Sequence, residues 1–411
     1  MGKPNQAGVV PFEQARAIVE QYCDRVTPCG PETAPLLFAS GCVLAEAILA
    51  DRDFPPFPRA TRDGYALRAE DVSVVPATLR ITGQIKAGSS FSSAVESGHA
   101  VEIMTGAAVP QGADAVVMVE YTSRSEDHVT VQRTCARGEN VVPAGSEASS
   151  GDEMLPRGAR LGFAQIAVAA AVGKTTVQVC KKPRVAILST GDEIVDSAQS
   201  PGPFQIRNSN SYSLAAQVTA AGGDPVVLPI APDEEVALRR LIEEGLKSDL
   251  LLLSGGVSMG KFDLVEQALV ALGAEFFFTG ALIQPGRPVV FGQIIIDQRR
   301  VPVFGLPGNP ISTMVTFELF AKPVIEALSG AVPARPPVAQ ARLTREIKTK
   351  PGLTRFLPGF LRGDIHAPQV AIIPWQGSGD LMASAQANCY VVVPSDRDLL
   401  PAGEMVSVLM R

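Results

Sequence analysis

Residues 249–263 read Asp-Leu-Leu-Leu-Leu-Ser-Gly-Gly-Val-Ser-Met-Gly-Lys-Phe-Asp, and the apolar residues of 264–272 follow helical spacing. Four consecutive leucines without polar alternation suit a parallel strand covered on both faces, so the chain must supply helices to two sides of a sheet. The stretch predicts strand, glycine turn, helix. Gly255, Gly256 and Gly260 let backbone N–H groups approach a ligand, in front of a helix whose N-terminus favours negative charge. A phosphate is the expected guest, and Asp263 next to it implies a divalent cation between the two, magnesium by its preference for oxygen ligands. A second reading carries equal weight on this window alone: Asp263 caps the helix and the glycines only turn the chain.

Strand and helix patterns alternate over the surrounding 145 or so residues. Strands are predicted over 184–189, 226–230, 249–253, 275–279, 289–296 and 302–305, and helices over 209–221, 233–247, 263–272 and 310–328. That alternation marks an α/β domain with a mostly parallel sheet, whose ligands bind outside the carboxyl ends of the strands. Three strand-end loops carry unusual residues: Ser189-Thr190-Gly191-Asp192-Glu193, Ser254-Gly255-Gly256 through Asp263, and Gly305-Leu306-Pro307-Gly308-Asn309-Pro310. Asp192, Glu193 and Asp263 repel one another at such an edge unless a cation or a proton-transfer role compensates. Asp233, at a fourth strand end, reads as a helix N-cap. Pro307 and Pro310 give a rigid start to a helix and so shape a pocket.

At 411 residues the chain is too long for one core. Helical spacing predicts helices over 12–25, over 36–47 with a break at Gly41-Cys42, and over 158–177. The proline-rich run 53–58 is a linker. Residues 59–150 read as an inserted small β domain, with β-rich runs at 79–85, 115–120 and 129–132 between Gly, Ser and Asp clusters. Within it, Asp63 precedes a glycine turn, and residues 104–114, including Thr105, form a small-residue loop leading into a strand. A proline-rich linker at 332–337 precedes a separate all-β domain. The net charge of −6 has no basic stripe, and five Tyr with one Trp offer no stacking platform, which excludes nucleic acid as a partner. Cysteines 23, 29, 42, 135, 180 and 389 lack ligand spacing and read as reduced structural residues. No run reaches transmembrane length, and the N-terminus lacks a signal pattern, so the expectation is a cytoplasmic protein without membrane contact.

Five motifs in this order resemble the molybdopterin molybdenumtransferases, the MoeA type that also forms the E domain of gephyrin. They are Pro55-Pro56-Phe57 followed by Asp63-Gly64-Tyr65-Ala66, Met104-Thr105-Gly106-Ala107, Ser189-Thr190-Gly191-Asp192-Glu193, Ser254-Gly255-Gly256-Val257-Ser258 with Asp263, and Pro307-Gly308-Asn309-Pro310. The resemblance implies a multidomain α/β and β fold. A central, mostly parallel, adenylyltransferase-like α/β domain would take 10–29 with 180–332, and a small helical linking domain 30–48 with 151–179. An inserted β domain would span 49–150 and a small C-terminal β-barrel 333–411. It implies a homodimer with shared active sites, each between the α/β domain of one subunit and the inserted domain of the other. The implied reaction uses adenylylated molybdopterin, molybdate and Mg2+, and yields molybdenum cofactor and AMP. Contacts with the adenylyltransferase that makes the substrate and with apo-molybdoenzymes follow from that role.

On this resemblance Asp63, Asp192, Glu193 and Asp263 are the catalytic candidates, and Asp192, Glu193 and Asp263 the metal ligands. Gly255, Gly256, Ser258, Arg287, Pro307, Pro310 and Thr105 would bind substrate. The chain departs from the family at Gln284-Pro285-Gly286-Arg287, where Lys-Pro-Gly-Lys is usual. Arg287 keeps a cation with a fork suited to oxyanions, while Gln284 loses one where molybdate or phosphate would be held. Ala60-Thr61-Arg62 replaces the usual Ser-x-Met, and Glu147 takes an acidic position of the loop after Pro143. The alternatives are molybdopterin adenylyltransferase-type activity, or a non-catalytic scaffold of the same fold.

Overall fold

The leucine run forms a strand buried on both faces. In this computed structural model, which describes residues 8–89, 92–256, 264–332, 337–364 and 366–411, Leu250–Ser254 lies between Arg184–Ser189 and Arg299–Leu306 and parallel to both. Leu250 and Leu252 enter one core and Leu251 and Leu253 the other, because successive strand residues face opposite sides. Val185 and Ile187 join the first core, Ala186 and Leu188 the second. Phe12–Cys23, Asn210–Ala221 and the helical stretch that begins at Pro310–Thr316 and ends at Lys322–Leu328 cover one face. Glu235–Gly245 and Leu264–Ala271 cover the other.

In space the sheet runs Asp224–Val227, Arg184–Ser189, Leu250–Ser254, Arg299–Leu306, Val290–Ile296, Glu275–Phe278. The first four strands are parallel and the last two antiparallel to their neighbours. The architecture is the expected mostly parallel one. Near its edge one detail differs: the helix Glu235–Gly245, which follows Asp224–Val227, is capped by Glu234, whose carboxylate accepts from the Val236 and Ala237 N–H groups at 3.1 Å each, and not by Asp233.

The linking segment corrects two expected helices. Residues 36–47 contain only a short turn, Leu36–Phe38, although Leu36, Ala39, Val43 and Leu44 are buried. Gly41, at φ +81°, breaks the run, and Val43 and Leu44 form isolated bridges with Arg160 and Val179. The apolar spacing there is that of an irregular chain pressed onto a core, and helix propensity yields to those pairings. The helix expected over 158–177 is confined to Phe163–Ala171. It starts where Gln165 Oε1 accepts the Gly162 N–H at 3.1 Å, and after Gly173 the chain extends into Thr176–Cys180, which pairs with Pro31–Pro35.

The insertion is a six-stranded sheet in the order Ala115–Met118, Gly64–Leu67, His99–Ile103, Ala77–Ile85, His128–Val131, Thr122–Ser125. Residues 64–66, read as a turn from sequence, open its second strand. A side chain at Gly64 would run into the Val117 carbonyl, so the close approach of the two strands requires glycine there. The C-terminal region closes into a five-stranded barrel of Thr354–Asp364, Ala367–Ile372, Val338–Leu343, Met405–Met410 and Cys389–Val393. The short strand Ile283–Gln284 of the α/β region pairs with Thr354 and Arg355 and joins the two regions. All six cysteines are free thiols, and burial pushes Cys23 up to about 12.

Candidate active site

Sheet register puts the three singled-out loops side by side. Ser189 pairs with Ser254 and Ser254 with Leu306, so Thr190-Gly191, Gly255-Gly256 and Pro307-Gly308 leave the sheet at one level. Gly255 and Gly256 have φ of +93° and +64°, a region costly for side-chain-bearing residues. Space excludes a side chain as well: a Cβ on Gly255 would lie 2.6 Å from the Thr190 carbonyl oxygen, and one on Gly256 2.7 Å from Val265 Cγ2. The Gly255 Cα is 3.5 Å from where a Gly308 Cβ would stand, so the second and third loops touch through backbone. The Pro307 carbonyl accepts from Thr313 Oγ1 at 2.5 Å, and Pro310 opens the helix that carries Thr313, which fixes this loop.

Beneath the glycines lies a polar floor that sequence reading did not select. Asn210 Nδ2 donates to Ser254 Oγ at 2.8 Å and to the Gly308 carbonyl at 2.7 Å, tying two loops to the start of Asn210–Ala221. Asn208, Ser189 and Ser211 form a second buried group at 2.9–3.2 Å. The only sequence signal was Arg207-Asn208-Ser209-Asn210 ahead of an apolar helix, which reads as capping.

The carboxylates are arranged differently. Asp192 and Glu193 are exposed, and Asp192 Oδ1 accepts the Asp233 N–H at 3.1 Å, which joins the first loop to the one after Asp224–Val227. Glu193 folds back over Gly191, where a Cβ would meet its Oε2 at 2.5 Å. Asp263 and Ser258 lie outside the described residues. Among the described residues no group of three or more His, Cys, Asp or Glu is disposed to hold a metal ion. Two adjacent, exposed carboxylates at a glycine edge are nonetheless hard oxygen donors of the kind Mg2+ takes together with water and substrate oxygens.

Asp63 sits in the insertion with Thr105. Its Oδ1 accepts from the Thr105 N–H at 2.7 Å and the Thr105 hydroxyl at 2.9 Å. The backbone bond, then the hydroxyl bond, holds its carboxyl below the usual range, so this exposed group stays ionised into acid. Among the described residues its carboxylate hydrogen bonds stay within the insertion. Glu147 pairs with Arg59 at 2.8 Å, both half exposed.

At the turn 284–287 the barrel meets the α/β region. Gln284 Oε1 accepts from Arg355 Nε at 2.8 Å, so a guanidinium from the barrel stands beside the glutamine. Arg355 is 9% exposed, donates also to the Leu353 carbonyl at 3.1 Å, and has its pKa lowered by burial. Arg287 is exposed, and a Cβ on Gly286 would collide with Thr316, which seats the turn against the helix that follows Pro310.

Comparison with known proteins adds to this geometry. Family profiles match the MoeA N-terminal region (domains I and II) over residues 10–173, a "probable molybdopterin binding domain" over 186–327 and the MoeA C-terminal region (domain IV) over 340–410. A molybdopterin molybdenumtransferase from Nostoc sp. is 34% identical over 390 residues, 92% of this chain and 88% of that protein. One from Synechocystis sp. is 35% identical over 372 residues, 89% of this chain and 91% of the relative. Two crystal structures of molybdopterin biosynthesis MoeA proteins from Pyrococcus horikoshii superpose with TM-scores of 0.73 and 0.78 at 33% and 29% identity, each covering 98% of this chain and 99% or 100% of its counterpart.

Proposed function

Given that this chain belongs to the molybdopterin molybdenumtransferase family, and is a transferase that inserts molybdenum in cofactor biosynthesis, we propose that its substrates are adenylylated molybdopterin and molybdate, with AMP as the leaving product. The observation that carries this reading is the alignment of Thr190-Gly191, Gly255-Gly256 and Pro307-Gly308 on one level of the sheet, with the exposed carboxylates of Asp192 and Glu193 beside it. The Thr190, Gly191 and Gly255 N–H groups donate within the fold, to Ser254, Ala231 and Leu306, so Gly256, at positive φ, is the residue whose N–H suits a phosphate oxygen. In the reaction water cleaves the P–O–P anhydride: its oxygen bonds one phosphorus, the bridging oxygen leaves with the other, and the two protons are shared between the resulting phosphates or released, giving AMP and the pterin phosphate. Asp192 and Glu193, with Asp263, would hold Mg2+, which when bound would offset charge on the phosphate oxygens. Arg287 supplies a forked donor for an oxyanion, and Pro307 and Pro310 keep the third loop rigid.

The proposed assembly is a homodimer in which Asp63 and Thr105 of one protomer complete the site of its partner. Two observations support it. Asp63 is held ionised and exposed, and among the described residues its carboxylate bonds go to Thr105 of the insertion. Leu37, Phe38 and Phe163 are 83%, 76% and 92% exposed on neighbouring parts of the linking segment, a concentration of large apolar side chains that marks an interface. No helix among the described residues is long and apolar enough to cross a membrane. We place the enzyme in the cytoplasm, receiving its substrate from the adenylyltransferase and passing its product to apo-molybdoenzymes. The test is incubation with adenylylated molybdopterin, Mg2+ and molybdate, followed by assay of AMP and of transfer to an apo-molybdoenzyme. Oxyanion-dependent AMP release coupled to cofactor transfer is expected. AMP release that ignores the oxyanion would overturn the reading.

A further inference from the structure

At the far end of the α/β sheet, where Leu250–Ser254 and Arg299–Leu306 begin, the described residues line a cavity of about 800 Å³. Small-molecule sites span roughly 300–1,000 Å³. Asp249, which lines the cavity, and Ser254, at the glycine edge, are about 16 Å apart along one strand, so the two places are distinct. The back wall is apolar. Tyr22 of Phe12–Cys23 and Phe277 of Glu275–Phe278 stand with ring centroids 5.5 Å apart, and both pack on buried Phe291 at 5.2 and 5.0 Å. Ile18, Ile295 and Leu328 extend this wall. Burial pushes the Tyr22 hydroxyl up to about 12, against the pull of Arg300, so it stays protonated and can donate.

Charge decides what such a wall receives. Three guanidiniums, Arg25, Arg299 and Arg300, face two carboxylates, Asp249 and Glu275, which leaves one positive charge. The Cys29 thiol, raised to about 11 by burial and then by Asp249, adds none. Both carboxylates are engaged within the fold. Asp249 Oδ2 accepts the Arg184 N–H at 2.8 Å and its Oδ1 lies 3.8 Å from Arg299 Nη1, while Glu275 Oε2 accepts from Gln293 Nε2 at 2.8 Å. Arg299 is committed too, donating to the Leu246 and Ser248 carbonyls at 2.6 and 3.1 Å. By contrast the side chains of Arg25 and Arg300 are exposed and make no ion pair or hydrogen bond among the described residues. Both flank Tyr22: the Arg25 N–H donates to the Tyr22 carbonyl at 3.0 Å, and the Arg300 charge acts on the Tyr22 hydroxyl. A guanidinium fork matches a carboxylate, and one surplus charge is balanced by a monoanion rather than by a phosphate dianion. We propose that this cavity binds an aromatic monocarboxylate, with its ring against Tyr22 and Phe277 and its carboxylate held by Arg25 and Arg300.

The test uses the full-length protein and equilibrium binding of 2-naphthoate, 2-naphthamide, 2-naphthyl phosphate and acetate at low salt, with thermal unfolding of each unliganded variant. Naphthoate is expected to bind about tenfold or more tighter than the amide, which keeps the ring and loses the charge, and than acetate, which keeps the charge and loses the ring. Naphthyl phosphate should bind no tighter than naphthoate. Arg25→Gln and Arg300→Gln should each weaken naphthoate about fivefold, the scale of an ion pair that water still reaches. Neither should shift the unfolding temperature, since neither guanidinium is paired in the free protein. Arg287→Gln, in the proposed catalytic site, should bind naphthoate as wild type does. The proposal is overturned if naphthoate fails to bind at millimolar concentration, if the amide or acetate binds as tightly, if the phosphate binds tighter, or if both Arg25→Gln and Arg300→Gln bind like wild type. Loss of binding in Arg287→Gln would overturn it as well, by placing the carboxylate at the glycine edge.

Discussion

The glycine edge of the α/β sheet and the Asp63–Thr105 corner of the insertion are built on opposite plans. At the glycine edge the carboxylates Asp192 and Glu193 are exposed, while the buried floor contains polar atoms without partners. At the corner the carboxylate of Asp63 is exposed but held by two hydrogen bonds to one residue. The first arrangement leaves hydrogen-bonding atoms unsatisfied beneath exposed charges. The second fixes the direction of an exposed charge through two hydrogen bonds. Neither alone would complete the proposed site, since breaking a phosphoanhydride needs charge stabilisation from groups fixed before the reaction.

The largest effect that would separate the two regions is at Gly256. Gly256→Val meets Val265 and Thr190 and demands φ near +64° of a β-branched residue. Because it displaces the backbone donors, it should lower kcat/KM for AMP release by about a hundredfold or more, the scale of losing an oxyanion donor. Activity within a fewfold of wild type would remove the glycine turn from the site.

Next in size is Thr105→Val, which deletes one of the hydrogen bonds holding Asp63 and leaves the backbone bond in place. About tenfold loss of kcat/KM is expected. The sign of the pH effect follows from the direction of the shift. A carboxyl held below its usual range stays ionised as pH falls, and losing a bond to its charged form raises its pKa, so the acid limb of the variant's pH–rate profile should move to higher pH. An unmoved acid limb would mean that Asp63 is not the group titrating there.

A smaller effect tests the joint between the α/β region and the barrel. Gln284→Lys sets a second cation against buried Arg355 and should cost about 1–2 kcal/mol, read as a lower unfolding temperature. Gln284→Glu should raise it by pairing with the guanidinium. Equal unfolding temperatures for the two variants would mean that the Arg355–Gln284 contact is not maintained in solution.

What was legible in the sequence was local or periodic. The leucines of Leu250–Ser254 announced their strand because both faces are buried, and the three loops followed from the position of strand ends. The run 36–47 misled because residues pressed on a core can mimic helical spacing, and only the pairings to Arg160 and Val179 reveal the extended chain. Asp233 was misplaced as a cap by one residue, since Glu234 has the longer reach to the two N–H groups. Asn210 was illegible for another reason: its role depends on Gly308, 98 residues away in sequence. Arg355 acquires its meaning from Gln284, 71 residues distant. Long-range contacts of this kind leave no mark on local composition.

The central claim is that the two contrasting regions meet across a dimer, each protomer lending Asp63 to its partner's glycine edge. Differently tagged Asp63→Ala and Asp192→Ala chains can be co-expressed, the mixed dimer purified through both tags, and its AMP release compared with wild type and with each parent. Sites shared between protomers place both lesions in one site and leave the other whole. The mixed dimer should then recover about half of wild-type activity from two inactive parents. A mixed dimer as inactive as its parents, with wild-type dimers active under the same conditions, would contradict the claim and confine Asp63 to its own chain.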